Sequence, residues 1–304
     1  MKTELTDSAD RTLITDMDFK KTSVKIGYGI LIIIMILLAC MVLYPIVWLT
    51  LGSFKSLKEL YTFPPTFIPK EWKWGNYANA WTSFKFALYI KNTLVILMGN
   101  LLFSIIPAAL SGYALAKLNP RGKKIIFYLI LASVMIPGQV YMIPLYLNLK
   151  DLPIFHLNLF DSYWGLWLPH IGNAFYVYLF YSFFLSVPTE LLEAARIDGA
   201  KEVGIFVKVV VPICKPVFVV TAIFTVTSTW NEFFWPMLLL TDMNKFPIMT
   251  AIYAMLRISN ASGGANEYNS MFAGLVIGLL PALALFAIFQ KQIMRGYTMS
   301  GIKG

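Results

Sequence analysis

Six long stretches of this 304-residue chain are apolar and almost free of charge, and they constrain its fold more than any other feature. About 20 apolar residues in a helix cross the ~30 Å hydrocarbon core of a bilayer. Backbone polar groups cannot stay unpaired there, and stretches this long favour helices over the alternating barrel strands of about ten residues. We therefore predict an all-α integral membrane protein with six transmembrane helices, at residues 26–51, 92–116, 125–147, 163–187, 217–241 and 270–290.

Composition indicates the same class. The chain is 58% hydrophobic and 13% charged, which is too apolar for a soluble domain of this size. A net charge of +9 can indicate nucleic-acid binding, but in a membrane protein it usually reflects Lys and Arg retained on the cytoplasmic side. Cys40 and Cys214 lack metal-ligand spacing, so we expect neither a metal site nor a disulfide. We expect contact with membrane lipid and not with nucleic acid.

The basic residues predict the orientation of the chain. With residues 1–25 in the cytoplasm, the inner segments hold 16 of the 25 Lys and Arg residues and the outer segments hold 9. The segment 54–91 departs from this bias, since it would lie outside with six lysines. Its length and prolines indicate a folded extracellular loop, for which the charge rule weakens. We expect both termini, the 188–216 loop and the 292–304 tail to be cytoplasmic.

Prolines interrupt the predicted spans. Proline removes a helical hydrogen bond, and neighbouring helices in a bundle can compensate for the loss. Many kinks suit a channel that moves, although static multi-span proteins also carry them. The prolines within the spans are Pro45, Pro107, Pro137, Pro144, Pro169, Pro236 and Pro281.

The segment between the fourth and fifth spans has the pattern of a short helix-turn-helix. Pro188 ends the span, Thr189 is a candidate helix cap, and Glu190 would lie in the favourable first turn. Gly199 can stop this helix because glycine takes positive φ without strain. A second short apolar helix follows, and Pro216 returns the chain to the membrane. Periodicity alone allows two interpretations: a loop lying on the lipid headgroups, or a docking site for a cytoplasmic partner.

The residues of this segment favour the second interpretation. Glu193-Ala-Ala, Asp198-Gly-Ala, Phe206, Pro212 and Pro216 match, with their spacing, the EAA loop of ABC-importer permeases. The resemblance implies a type I ABC importer permease fold with cytoplasmic coupling helices, in a bacterial cell inner membrane. It also implies an ATPase-coupling role for Glu193, Ala194, Ala195, Asp198, Gly199, Ala200, Phe206 and Pro212.

The same resemblance implies which partners such a chain has. They are a pair of ABC ATPase subunits, a second permease subunit that we expect to be a different chain, and an extracellular or periplasmic solute-binding protein. The sequence contains no Gly-x-x-x-x-Gly-Lys-Ser/Thr phosphate loop, so we expect a transport subunit without its own ATPase site. ATP and Mg would be bound by the partner ATPase, and no cofactor is expected in this chain.

Two softer motifs resemble the second permease subunit of maltose-type importers: 135–146 in the third span and 230–236 in the fifth. This resemblance implies that a sugar or oligosaccharide is carried; the alternatives are a non-sugar solute or a secondary transporter. Sugars bind to aromatic faces, amides and carboxylates, and an acidic residue within a membrane span is a functional candidate. An equal alternative is that Glu232 is wetted at the outer end of its span, with the tryptophans in the interfacial belt. The candidate substrate path is Trp230, Asn231, Glu232, Phe234 and Trp235.

Two further segments carry expectations. Residues 242–269 are polar and glycine-containing and read as a flexible outer loop, which in maltose-type subunits reaches the binding protein. The tail resembles the end of that branch, which implies ATPase contacts for Arg295, Gly296 and Lys303. His156 and His170 are isolated, so we expect them to be structural.

Overall fold

The computed structural model describes residues 22–261 and 268–300, in which the chain is predominantly helical. Short π or 3₁₀ turns extend or join several helices, at Ala114–Leu118, Leu168–Gly172, Phe206–Val210 and Met243–Lys245. The helices are α1 Thr22–Ser53, α2 Leu57–Leu60, α3 Gly75–Ser83, α4 Phe86–Tyr113, α5 Lys123–Met135, α6 Gly138–Lys150, α7 Trp164–Trp167, α8 Ala174–Leu185, α9 Thr189–Ile197, α10 Glu202–Ile205, α11 Val211–Ile213, α12 Lys215–Asn231, α13 Phe234–Leu239, α14 Ile248–Ala261 and α15 Tyr268–Ser300.

Three uninterrupted helical stretches in the described ranges are long and apolar enough to cross a membrane: Thr22–Ser53, Phe86–Leu118 and Tyr268–Gln290. Three bent helix pairs bring the number to as many as six if each pair counts as one span. Pro45, Pro107, Pro144 and Pro281 lie inside helices, so these prolines are accommodated without ending them.

The third, fourth and fifth predicted spans are broken and not continuous helices. Residues 125–147 bend by 101° between α5 and α6, where Ile136 takes the extended backbone that a following proline favours. Residues 163–187 divide into α7, a 3₁₀ turn containing Pro169, and α8, which Asn173 caps through its side chain. Residues 217–241 break at Glu232 and Phe233, between α12 and α13.

Helix α4 is the centre of the bundle and packs against α8 and α12. Small residues allow the close approach: a Cβ at Gly112 would lie 2.7 Å from the Cβ of Phe180. Polar side chains of the three helices also pair with one another across this junction. Asn100 donates to Thr229 (2.9 Å), and Thr225 donates to the Tyr176 hydroxyl (3.2 Å).

The end of α4 at Phe86 is tied to the segment that follows α13. Asn92 donates to the backbone carbonyls of Asn244 (2.7 Å) and Phe246 (3.0 Å). Residues 54–91 lie at this end too, ordered around α2 and α3, and Asn76 donates to the carbonyls of Ser53 and Lys55. We call this the opposite end of the molecule, and the end that carries residues 188–216 the loop end.

The expectation of a flexible loop over 242–269 is wrong for the central half of that segment. Residues Ile248–Ala261 form α14, which packs against α15 and α4. Its apolar face is buried through Ile248, Ala251 and Ile252, and Ile248 N–H donates to the Thr93 hydroxyl. The apolar residues recur at helical spacing among polar ones, a pattern that the overall polarity of the segment concealed. Residues 262–267 lie outside the described ranges.

Candidate functional site: the 188–216 loop and a cavity at the helix breaks

The 188–216 loop begins with α9, a nine-residue helix that ends in a defined stop. Gly199 has φ +81°, and its N–H donates to the Arg196 carbonyl while the Ala200 N–H donates to the Ala195 carbonyl. This pair of bonds is a Schellman stop, in which glycine is favoured because it has no Cβ. Thr189 was expected to cap α9, but Pro188 holds the cap position and Thr189 is the first helical residue.

The two faces of α9 differ in their surroundings. Leu192 is buried in the protein, whereas Glu193, Ala194 and the Asp198–Ala200 turn are exposed and Ala195 is half-buried. Sequence reasoning missed a set of exposed apolar residues beside them, although their outward position follows from the helical period once Leu192 is placed inside. These are Leu191, Ile197, Val203 and Val207, of which Ile197 is 86% exposed.

The remaining two candidate coupling residues lie differently. Phe206 does not belong to the exposed face: its ring packs 5.2 Å from Tyr113 and 6.1 Å from Phe184, centroid to centroid. It anchors the loop in the bundle. Pro212 is exposed in α11, which continues the π turn Phe206–Val210 without a break.

A polar bridge connects the loop to α4. Arg196 Nε donates to Glu202 Oε1 (2.7 Å), and the Tyr113 hydroxyl donates to Glu202 Oε2 (2.9 Å). The hydrogen bond from Arg196 holds the pKa of Glu202 below its ordinary value. Nearby, Lys117 Nζ donates to the Val187 carbonyl (2.6 Å). The opposite charges of Arg196 and Glu202 on either side of the glycine turn are the sequence signal for this bridge.

A cavity of about 730 Å³ lies where the broken spans meet. Its walls come from the α5–α6 break, the 3₁₀ turn and start of α8, and the start of α13. Helix breaks place polar side chains and backbone ends inside a bundle, which an unbroken apolar helix cannot do. The polar and aromatic lining includes Ser133, Gln139, Tyr141, His170, Asn173, Glu232, Phe234 and Trp235.

The comparison with known proteins identifies the family. Residues 102–298 match the inner membrane component of binding-protein-dependent transport systems. The chain belongs to this family. It is a permease component with the all-α membrane fold that its coupling motif implied.

Individual relatives and solved structures agree with this assignment. The permease is 31% identical to the diacetylchitobiose uptake system permease protein of Streptomyces coelicolor, over 86% of this chain and 84% of the relative. It is 32% identical to the arabinooligosaccharides transport system permease protein of Bacillus subtilis, over 88% and 93%. It is 30% identical to the sn-glycerol-3-phosphate transport system permease protein of Pectobacterium atrosepticum, over 84% and 90%.

The fold also matches a chain of a bacterial ABC transporter involved in the import of the acidic polysaccharide alginate. The TM-score is 0.78 at 24% identity, with 89% of this permease and 98% of that chain covered. A second match, in complex with an alginate pentasaccharide-bound periplasmic protein, has a TM-score of 0.58 at 16% identity and covers 88% and 95%. At these identities the two structures show the fold of the permease.

The candidate substrate-path residues divide into two groups. Glu232, Phe234 and Trp235 line the cavity. Trp230 is buried and its indole N–H donates to the Gly278 carbonyl (3.2 Å), so it joins α12 to α15. Asn231 is exposed but is not part of the lining; its amide donates to the Thr227 carbonyl one turn earlier.

Other residues were underestimated from the sequence. Gln139 belongs to the third-span motif but was not named as a candidate, and His170, expected to be structural, also lines the cavity. Pro169 beside His170 was the available signal, because a proline in a span can mark a break. Of the tail candidates, Arg295 and Gly296 continue the backbone of α15, their side chains lie outside the described part, and Lys303 lies outside it altogether.

Proposed function

We propose that this permease forms half of the translocation channel of an ATP-binding-cassette importer and passes a sugar or oligosaccharide into the cytoplasm. Relatives named for diacetylchitobiose and arabinooligosaccharide transport support the cargo class. The cavity supports it as well, since amides, a carboxylate and aromatic faces are the groups that bind sugars. The other half of the channel is then a second, different permease subunit.

The exposed face of α9 is the observation that carries the coupling role. Glu193, Ala194 and the Asp198–Ala200 turn stand out from the surface, and small side chains there allow another backbone to approach closely. The exposed apolar residues Ile197 and Val203 leave a surface suited to burial in a cleft of a partner. We assign that cleft to the ATPase pair, which holds ATP and Mg and does the hydrolysis.

Movement of the ATPase pair then reaches the bundle through two contacts. Phe206 packs against Tyr113 and Phe184, and Glu202 joins Tyr113 to Arg196. A displacement of α9 is passed to the end of α4, which is packed along its length against α8 and α12. The cavity walls belong to α8 and to the breaks beside it, so the same displacement reopens or closes the path.

This function sets the sidedness of the molecule. The loop end faces the cytoplasm with both termini, and the opposite end faces the solute-binding protein. Within this proposal, the tail residues Arg295, Gly296 and Lys303 are candidates for a second contact with the ATPase pair.

Gly199→Val tests the coupling role. A β-branched residue at φ +81° is strained by roughly 1–3 kcal/mol, so the Schellman stop shifts and α9 no longer presents its turn. We expect at least a tenfold loss of uptake and of binding-protein-stimulated ATP hydrolysis, with the complex still assembled. Gly204→Val is the matched control, because Gly204 lies in the same loop in open space with ordinary helical backbone. Normal rates of uptake and of binding-protein-stimulated ATP hydrolysis in Gly199→Val would contradict the proposal.

A further inference from the structure

The charge of the cavity wall restricts what can pass through it. Among the described residues that line the cavity, Glu232 is the acidic one and none is Lys or Arg. The other polar side chains of the described lining come from several pieces of broken helix: Ser133 from α5, Gln139 and Tyr141 from α6, His170 from the 3₁₀ turn, and Asn173 from the cap of α8. A cleft with charge of one sign and apolar walls focuses its field on whatever enters.

The Glu232 carboxylate is held in a fixed place. Its Oε1 accepts the backbone N–H groups of Phe234 (2.9 Å) and Trp235 (3.1 Å), which caps the first turn of α13. Its Oε2 takes part in none of the hydrogen bonds of the described residues, and the side chain is exposed at the cavity. One oxygen therefore fixes the side chain and the other is available to a ligand.

The lining suits an uncharged polyhydroxylated molecule. A carboxylate oxygen accepts from hydroxyl groups, an amide such as that of Gln139 donates and accepts, and the rings of Phe234 and Trp235 offer apolar faces. A phosphate or a uronate also carries hydroxyls but brings a negative charge toward Glu232, and the described lining residues include no Lys or Arg to offset the repulsion.

We propose that Glu232 determines specificity by charge, so that the cavity admits neutral saccharides and disfavours anionic ones such as sugar phosphates and uronates. This inference rests on the proposed function, because it names the class of cargo for the same path. It adds a selection step within the membrane, after any selection made by the solute-binding protein.

The test measures the electrostatic potential of the cavity directly. The complete transporter is reconstituted in lipid nanodiscs with Cys40→Ser and Cys214→Ala, and Ser133→Cys places a thiol in the cavity wall. The modification rate is measured with two thiosulfonate reagents of similar size, one carrying a trimethylammonium group and one a sulfonate. Glu232→Gln is compared with Glu232, since the amide oxygen can still cap α13 while the charge is removed. Asp151→Asn, an exposed acid outside the cavity lining, is the control.

We expect Glu232→Gln to raise the sulfonate-to-trimethylammonium rate ratio at least tenfold and Asp151→Asn to change it less than twofold. A neutral trisaccharide should slow modification of the introduced thiol, and a uronate trisaccharide should do so only in the Glu232→Gln background. A ratio unaffected by Glu232→Gln, or equal protection by both sugars with Glu232 in place, overturns the inference. Binding-protein-stimulated ATP hydrolysis by the complex that keeps Glu232 separates this failure from failure of the proposed function, because the proposed function predicts that stimulation.

Discussion

The loop end and the cavity are built in different ways. At the loop end, Tyr113, Phe184 and Phe206 interlock beneath α9, and Phe184 is completely buried. At the cavity, three spans are interrupted and their exposed ends supply the lining. A region that passes on a displacement must be packed without gaps, whereas a region that admits a solute needs polar groups free of helical packing. Substitutions in the packed loop end should therefore affect stability, and substitutions of side chains that line the cavity should affect solute passage.

Phe184→Ala should have the largest effect on stability. Removing this buried ring leaves a void among Tyr113, Phe206 and Phe218, at a cost of about 3–5 kcal/mol. We expect the melting temperature of the purified complex to fall by roughly 10 °C. We also expect ATP hydrolysis to be less tightly coupled to uptake. Phe286→Ala is the matched control because its ring is 58% exposed, and it should change little. Equal melting temperatures for the two variants would contradict the packed description of the loop end.

Asp161→Asn tests the support of the cavity wall. Asp161 Oδ1 accepts the N–H groups of Thr241 and Asp242 (both 3.0 Å), and Oδ2 pairs with Lys245. The Asp161 N–H donates to the Leu239 carbonyl at the end of α13 (2.8 Å), so this cluster holds one wall of the cavity. An amide turns a donor toward the Lys245 ammonium, and we expect a loss of about 1–2 kcal/mol in thermal unfolding at neutral pH.

The pH dependence of that loss has a defined sign. Hydrogen bonds from Lys245 and from the Asp242 backbone lower the pKa of Asp161 from 3.8 to about 2. A lowered pKa in the folded state means that the contribution is complete above about pH 4 and is lost as the pH falls through about 2. The difference between Asp161 and Asp161→Asn should shrink over that window. If the stability difference between the unaltered complex and Asp161→Asn is undiminished at pH 2, the charge of Asp161 is not the cause of that difference.

The two regions also differ in how well the sequence predicts them. The loop end follows from local rules: Gly199 supplies the helix stop, and Leu192 and Phe206 turn inward because they are the apolar positions of short amphipathic helices. The cavity depends on where three separate spans break and on which pieces then face one another. Pro137 and Pro169 predicted interruptions, but Pro45, Pro107 and Pro281 sit inside continuous helices. A proline in a span therefore does not by itself locate a break.

The tryptophans of the fifth-span motif and His170 show why. Trp230 and Trp235 belong to one motif, but α12 ends between them and turns Trp230 into the bundle and Trp235 toward the cavity. His170 has no sequence neighbour of related chemistry, and its partners in the lining come from segments 31 residues before it and 62 after it, at Gln139 and Glu232. Such long-range proximity depends on tertiary packing.

Phe234→Ala should separate passage from stability at the cavity. The ring is 45% exposed and lines the cavity, so its removal should change the melting temperature of the complex by less than about 2 °C. We take the contact of this ring with a sugar to contribute as much as a contact between two aromatic rings, about 0.5–1.5 kcal/mol, and therefore expect a roughly two- to tenfold fall in the uptake rate at saturating binding protein. Phe155→Ala, at an exposed position outside the lining, is the control. Normal uptake by the Phe234→Ala variant would show that this ring does not contact the transported solute.

Glu202→Gln is the most subtle test of the comparison, because it alters the bridge of the loop end without disturbing its packed core. The amide keeps one acceptor for Arg196 or Tyr113 and loses the charge, which costs about 0.5 kcal/mol at an exposed site.

The pH dependence of this cost has a defined sign. The hydrogen bond from Arg196 lowers the pKa of Glu202 below its ordinary 4.5. The stability that Glu202 contributes is therefore present above that value and is lost as the pH falls through the lower folded-state pKa. The melting temperature of the unaltered complex should approach that of Glu202→Gln on acidification. If Glu202 only stabilises the loop, coupling follows this small change; a much larger fall in binding-protein-stimulated ATP hydrolysis would show that the bridge itself transmits the movement of α9 to α4.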